Sequence, residues 1–259
     1  MYSNYHTHTF RCKHAKGSEE EYIEKAISEG VKILGFSDHA PYIYPPGYVS
    51  SYKMLPEQLS EYCDTLSALK EKYRDKIEIH IGLETEYYEN LFDETLEFWR
   101  GYPIEYLILG HHMLGNEYDK TRWVVGTRTE DKSILTRYVD AVLKAAGTGR
   151  ISCVAHPDML NFVGDEDFYL QENERMLKGL KQLSVPVEIN LLGLMDKRHY
   201  PRERFWELAG RCSIDAILGF DAHTPECCPH IETVVEGMRL ADRYGINLLS
   251  KLELKNPLF

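Results

Sequence analysis

Three histidines stand close together near the start of the chain, in the segment HTHTFRCKH. His6 and His8 are separated by one residue, so both side chains point to the same side if the backbone is extended there. His14 follows within the same segment. Imidazole nitrogens are suitable ligands for Zn, Fe or Mn, so this spacing indicates a metal site whose first ligands come from the beginning of the chain.

Further candidate ligands follow later apolar segments. They are His39, Glu84, His111, His156, Asp221 and His223. Asp221 and His223 repeat the one-residue spacing of the first two histidines. No cluster of cysteines accompanies them, which argues against a closed structural zinc site and favours an open, hydrolytic one. His112, beside His111, is interpreted as a group that supports the ligands.

The elements that must position these residues alternate between short, β-prone apolar segments and longer segments of helical period. This pattern predicts parallel strands joined by helices. Seven strands are predicted, at Tyr2 to Tyr5, Val31 to Ser37, Ile77 to Leu83, Ile104 to Leu109, Ile151 to Ala155, Val185 to Ile189 and Ile214 to Phe220. Because the carboxyl ends of barrel strands share one rim, the residues after each strand are expected to converge.

Helices are predicted between the strands. The first has the clearest signals, with Ser18 as N-cap, Glu21 three residues later and Gly30 as the stop. The others are predicted at about Pro56 to Tyr73, Asn90 to Arg100, Glu130 to Ala146, Leu170 to Leu183, Pro201 to Arg211 and Cys227 to Tyr244. No linker or repeat interrupts the pattern, so one domain over residues 1–259 is expected.

Six motifs in order, HTHTFRCKHA, GFSDHAPY, GLETEYY, LGHHM, VAHPD and GFDAH, resemble the polymerase and histidinol phosphatase (PHP) superfamily, in particular its histidinol-phosphatase branch. The resemblance covers essentially the whole chain. It implies an α/β fold, a distorted (β/α)7 TIM-like barrel of PHP type, and a site for three divalent metal ions, with Zn, Fe and Mn all compatible.

The same resemblance implies a ligand set. His6, His8, Glu84 and Asp221 are expected to hold the first metal, His14, His39 and His223 the second, and Glu84, His111 and His156 the third. Glu84 would then bridge two ions. Cys12 is expected to pack beneath the metals without binding them, and Asp38 and Asp158 to orient ligands or shape the pocket.

The implied reaction is hydrolysis of L-histidinol phosphate to L-histidinol and phosphate by a metal-bridging hydroxide, with Glu84, Asp221 and His223 as catalytic residues. The alternative is a PHP phosphatase or phosphodiesterase that acts on another small phosphoester. An amidohydrolase also begins with His-x-His, but typically uses a lysine after a middle strand. A binding module without activity predicts eroded ligands, and every expected ligand is present.

Substrate binding departs from the family pattern. Similar proteins often carry Gly-Leu-Arg after the sixth strand, whereas Met195 occupies the arginine position here. Arg198 is expected to reach the phosphate instead, with Lys197 or Arg202 as weaker substitutes and Asp158 as a further substrate contact. A solvated basic loop is the alternative for this stretch. The tyrosine-rich segment APYIYPPGYVSSYKM is expected either to wall the pocket or to pack on itself.

Composition limits the partners. With 30 basic and 41 acidic residues the net charge is −11, which disfavours nucleic acid and anionic membranes and requires a local positive site for a phosphoester. No apolar run of membrane-spanning length and no signal-peptide pattern is visible, so a cytoplasmic protein that acts on a small molecule is expected. The six scattered cysteines are interpreted as reduced thiols.

Overall fold

The computed structural model describes residues 3–258, so Tyr2, at the start of the first predicted strand, lies outside the described residues. The strands are β1 (Ser3–Asn4), β2 (Ile33–His39), β3 (Glu78–Thr85), β4 (Tyr106–Leu109), β5 (Met113–Leu114), β6 (Trp123–Val124), β7 (Ile151–Val154), β8 (Val187–Asn190), β9 (Asp215–Gly219) and β10 (Asn247–Leu248). Each predicted strand has a counterpart, while β5, β6 and β10 were not predicted. Strands of two residues are too short to show a period.

Eight strands form one parallel sheet in the order β1-β2-β3-β4-β7-β8-β9-β10. The segment after β1 meets the segment after β9 through a parallel bridge between Thr7 and Ala222, and the His8 N–H donates to the Ala222 carbonyl at 3.0 Å. The sheet therefore curls until its first strand reaches β9. The predicted TIM-like α/β barrel is confirmed.

The helices are α1 (Glu19–Ser28), α2 (Leu59–Tyr73), α3 (Phe92–Trp99), α4 (Lys132–Gly147), α5 (Glu166–Gln182), α6 (Leu191–Met195), α7 (Glu203–Cys212) and α8 (Ile231–Tyr244). The predicted capping box between Ser18 and Glu21 is present. Short 3₁₀ turns, Pro56–Gln58 and Pro225–Cys227, precede α2 and α8, so both helices begin later than predicted. No helix within residues 3–258 is long and apolar enough to cross a membrane.

Two local features near the strand ends were missed. The five-residue helix α6 begins directly after β8, where the Asn190 side chain caps it by accepting from the Gly193 N–H at 2.8 Å. The antiparallel pair β5-β6 follows β4 and forms a small hairpin. Both lie on the side of the sheet where the carboxyl ends of the strands meet, and both line a cavity that several of the predicted ligands also line.

Candidate metal centre

The carboxyl ends of the strands bring most of the predicted ligands into one cluster. Several groups of three residues have ligand atoms within 4.8 Å of one another and could hold a metal ion. These groups include His6, His8 and Asp221; His6, Glu84 and His156; His8, His39 and His223; and Cys12, His14 and His223. The convergence expected from the strand ends is therefore present in the structure.

The closest packed part of the cluster consists of His6, His8, Glu84 and Asp221. Nε2 of His6 lies 3.1 Å from Nε2 of His8 and 3.4 Å from Oδ1 of Asp221, and Nε2 of His8 lies 3.1 Å from the same oxygen. Glu84 oxygens are 3.5 and 3.7 Å from the two imidazoles. Tetrahedral ligands on bonds of about 2.0 to 2.1 Å are separated by roughly 3.4 Å. The spacing therefore fits one ion among these four side chains.

Glu84 faces ligands on both sides. Its Oε1 lies 3.0 Å from Nε2 of His156 and 3.6 Å from Nε2 of His112, and its Oε2 lies 2.8 Å from Nδ1 of His39. Oε2 is buried and has no hydrogen-bond partner among the described residues. A buried carboxylate oxygen without a hydrogen bond is expected where a cation belongs. The donor set therefore fits Glu84 as a bridging ligand.

Five of the imidazoles are held so that Nε2 faces the cluster, whereas His39 turns its Nδ1 toward Glu84. Nδ1 of His6 lies 2.7 Å from Oε1 of Glu188, and Nδ1 of His112 lies 3.0 Å from Oε1 of Glu86. Nδ1 of His8, His14 and His223 also lies next to an oxygen, from a backbone carbonyl or a carboxylate. An oxygen acceptor at one ring nitrogen fixes the tautomer and leaves the other nitrogen for a metal.

His111 does not reach the cluster. Its Nδ1 accepts from the Tyr87 N–H at 3.4 Å, and its ring lines a different cavity. His112 points toward Glu84 instead, and its ring centroid lies 4.9 Å from that of His156. The predicted ligand at position 111 is thus displaced by one residue. Consecutive residues of an extended segment point to opposite sides, so only one of the pair can face the metals.

Glu188 was missed by the sequence reasoning, although an acidic residue inside the apolar strand VEIN is a signal. Besides orienting His6, it accepts from the His156 N–H at 2.9 Å. Two glycines make room for the buried carboxylates. A Cβ at Gly219 would lie 1.6 Å from the Glu188 side chain, and a Cβ at Gly110 would lie 1.8 Å from that of Glu84. No other residue type fits at either position without displacing a ligand or its support.

Two candidate ligands have unusual backbone conformations. His156 and Asp221 both have positive φ values, 30° and 50° respectively, at the ends of β7 and β9. For residues other than glycine this region costs of order 1 to 3 kcal/mol and is found mainly at functional sites. The fold therefore holds these two side chains in place at the expense of local strain.

The charges of the site favour a cation. Burial would raise the pKa of Glu84 and Asp221, but His39 beside the first and His6 beside the second help to hold both pKa values well below their usual range. The pKa of His6 is raised to about 10 because the effect of its burial is outweighed by Glu188 and the other two carboxylates. The pocket thus stabilises positive charge at this ring, and a proton or a metal ion can supply it.

Cys12 lies closer to the ligands than expected. Its buried thiol is grouped with His14 and His223 and, separately, with His8 and Asp38. Burial opposes ionisation, yet hydrogen bonds with His14 and His8 lower the pKa of the thiol. Its role beneath the metals stays a prediction.

Asp38 lies beside His8, at 3.4 Å, rather than orienting the ring of its neighbour His39.

The cluster opens into a cavity of about 620 Å³. Apolar and aromatic side chains form much of its wall. They are Tyr52, Met113, Val124, Met159, Leu192 and Tyr200. Asp196 and Arg198 add charged groups at one side. A cavity of this size and lining suits a small molecule with both polar and apolar parts.

The predicted substrate-binding residues differ in position. Arg198 lines the cavity, donates to the Tyr200 hydroxyl at 2.8 Å and pairs with Asp196 at 2.7 Å. Lys197 is exposed and does not line this cavity. Asp158 is buried outside it and accepts from the Arg202 N–H at 2.6 Å, so it holds the loop that carries Arg198. Only the first of the three predicted residues is placed to meet a substrate.

One tyrosine of the tyrosine-rich segment lines the cavity, and others pack against a neighbouring part of the fold. The hydroxyls of Tyr44 and Tyr48 donate to Glu117 at 2.6 and 2.9 Å, so much of the segment packs on a buried carboxylate. Tyr52 alone among its tyrosines lines the cavity, with its ring centroid 5.2 Å from that of His39. The segment therefore presents one aromatic ring to the site and anchors the others.

The chain is similar to proteins of known family in both sequence and structure. The family model described as "PHP domain" matches residues 4–191. A probable histidinol-phosphatase of Deinococcus radiodurans is 27% identical over 227 residues, which cover 85% of each chain. The histidinol-phosphatase of Bacillus subtilis is 31% identical over 117 residues, 42% of this chain and 43% of that protein. The crystal structure of histidinol phosphate phosphatase from Lactococcus lactis, complexed with Zn, L-histidinol and phosphate, has a TM-score of 0.75 at 18% identity, covering 99% and 97% of the two chains.

Proposed function

Because this chain belongs to the PHP domain family, we propose that it is a metal-dependent phosphomonoesterase that hydrolyses L-histidinol phosphate to L-histidinol and phosphate. The observation that carries the proposal is the position of Glu84, whose two oxygens face imidazoles on different sides within a cavity open to a small molecule. The choice of substrate is supported by the relatives that are named as histidinol-phosphatases.

We assign the ligands in three groups. The first ion would be held by His6, His8, Glu84 and Asp221, the second by His14, His39 and His223, and the third by Glu84, His112 and His156. His112 replaces His111 in this set because only His112 faces Glu84. Zn, Fe and Mn all accept imidazole and carboxylate ligands. Divalent ions there would supply Lewis-acid activation of water and would neutralise the negative charge of a phosphate.

The protein's own groups position the ester. Arg198 offers a guanidinium at the cavity wall, which suits a phosphate oxygen, and Asp196 beside it offers a carboxylate that suits an ammonium group. L-Histidinol phosphate carries both an ester phosphate and an amine. The aromatic and thioether side chains of Tyr52, Tyr200 and Met113 give an imidazole-bearing substrate an apolar wall.

The hairpin β5-β6 forms part of the cavity wall. Met113 and Val124 come from its two strands and line the cavity. A cavity of about 620 Å³ suits a small monoester better than a nucleic-acid strand. The net charge of −11 agrees with that choice.

The experiment is a comparison of kcat/KM for L-histidinol phosphate with a panel of other phosphomonoesters, using protein whose metal content has been quantified. We expect a preference of about 10²-fold or more, equivalent to about 2.7 kcal/mol of differential transition-state binding. Equal, weak activity on all esters would contradict the assigned substrate and favour another small phosphoester. A phosphoenzyme trapped by rapid acid quench would contradict direct attack by water.

A further inference from the structure

His111 lines a second cavity, of about 360 Å³, formed by the segment after β3, the turn after β5 and one side of α4. His112, the next residue, lines the first cavity. Within residues 3–258 the two cavities have no lining residue in common. The second cavity is therefore a separate place in which a molecule could bind.

His111 brings an unused polar atom to this cavity. Its side chain is 97% or more buried, and Nδ1 is occupied by the Tyr87 N–H. Nε2 has no hydrogen-bond partner in the part of the chain that the structure describes. This nitrogen is not among the buried atoms that lack a partner, so it is open to the cavity that the ring lines and can meet a polar atom of a bound molecule.

Arg137 adds an unpaired cation. It lies at an exposed position on α4, lines the cavity and makes no ion pair within 4 Å among residues 3–258, although its charge also acts on Asp131. The other cation of the cavity, Lys144, is already paired with Glu89 at 2.8 Å. A free guanidinium at a cavity wall is suited to two parallel hydrogen bonds with a carboxylate.

Acidic side chains line the same cavity. Asp119 accepts from the Asn116 amide at 3.3 Å and forms no ion pair with any described residue. Asp140 lies on α4 one turn after Arg137, and one of its oxygens accepts from Arg175 at 2.8 Å. These carboxylates suit an ammonium group. Opposite charges within one small cavity favour a ligand that itself carries both charges.

We propose that this second cavity binds a free α-amino acid or a similar small zwitterion. Arg137 would bind its carboxylate, Asp119 and Asp140 its ammonium group, and Nε2 of His111 a further polar atom. The volume suits a molecule of this size. The site is distinct from the candidate metal centre, and ligand binding there requires no turnover of a phosphoester.

The test is isothermal titration calorimetry of the metal-loaded protein with the common L-amino acids, in the presence of saturating inorganic phosphate. Acetate and methylammonium serve as the two halves of the ligand. At least one amino acid is expected to bind with a Kd in the millimolar range or below, and each half at least about tenfold more weakly. Absence of binding by every amino acid would overturn the proposal, as would binding that is seen without phosphate and lost when phosphate is saturating.

Arg137→Met should weaken binding of that amino acid at least about tenfold. Arg239→Met, which removes the same charge from an exposed position on α8, should leave Kd unchanged. Asp119→Asn provides a second variant for the ammonium side. The assignment would be refuted if Arg137→Met and Asp119→Asn both bound the amino acid as tightly as the Arg239→Met control. kcat/KM for the phosphoester should be unchanged in Arg137→Met, so the outcome is independent of the proposed function.

Discussion

The carboxylate of Glu86 accepts two hydrogen bonds from His112, one from its backbone N–H at 2.8 Å and one from its ring Nδ1 at 3.0 Å. This double contact fixes both the backbone and the ring of the residue that faces Glu84. Burial would raise the pKa of Glu86, but Lys53 and His112 lower it well below its usual range. Glu86 is thus an ionised carboxylate that orients a candidate metal ligand.

The pair His111 and His112 allows a matched test of the ligand set. His112→Ala removes a ring whose Nε2 lies 3.6 Å from Glu84, so we expect loss of one bound metal and a fall in kcat of at least about 10²-fold. His111→Ala changes a ring that faces the other cavity and should keep its metals and most of its activity. Metal content by mass spectrometry and kcat at saturating metal decide between them. The opposite ranking of the two variants would restore His111 as the ligand.

The sequence predicted which segments meet because the carboxyl ends of parallel strands share a rim whatever their detailed geometry. It could not say which of two adjacent histidines faces inward. The strand β4 has only four residues, and its pairing with β7 shifts register between Leu107 and Ile108. A shift of one residue exchanges the two faces of a strand, so alternation could not be extended to position 111.

Glu188 and the hairpin β5-β6 were missed for different reasons. Glu188 left a signal, since an acidic residue between Val187 and Ile189 in a buried strand needs a partner. The hairpin left none, because each of its strands has two residues and is too short to show an alternating pattern. Wall residues such as Met113 and Val124 therefore could not be predicted before the structure.

Lys53 should be important for stability. Its side chain is 1% exposed and lies 3.2 Å from Glu86 and 3.0 Å from Glu117, both of which are buried. Lys53→Met leaves two buried carboxylates without their cation, and we expect a loss of about 3 to 5 kcal/mol in the free energy of unfolding. Urea denaturation measures it. Lys32→Met, at an exposed position, is the control and should change stability by less than about 0.5 kcal/mol.

Arg198 is predicted to act mainly in substrate binding. It lines the cavity beside Asp196 and Tyr200, whereas Lys197 is not among the residues that line it. Arg198→Met should raise KM for the phosphate ester about tenfold or more with a smaller effect on kcat, since a lost charged hydrogen bond is worth about 1.5 to 3 kcal/mol. Lys197→Met should leave both constants unchanged. Steady-state kinetics on the two variants, at equal metal content, would refute the role of Arg198 if KM did not differ.

Stability should also depend on pH through an acidic cluster that lies away from the candidate metal centre. Glu105 lies 2.8 Å from Lys70 and 3.2 Å from Nδ1 of His80, and accepts from the Ile81 N–H at 2.8 Å. Burial by itself would raise the pKa of Glu105, but these hydrogen bonds outweigh it and lower the pKa to about 2. The ordinary value is 4.5.

A carboxylate whose pKa is lower in the folded state stabilises the fold above its unfolded pKa. That stabilisation is lost as the pH falls from about 4.5 toward about 2. Glu105→Gln should therefore reduce the free energy of unfolding at neutral pH by on the order of 2 kcal/mol and flatten its decline between pH 4.5 and 2. Urea denaturation at a series of pH values measures this slope. Glu71→Gln, at an exposed position on α2, is the control and should keep the slope of the unmodified protein. An unchanged slope in Glu105→Gln would mean that the cluster does not hold the carboxylate in its ionised form.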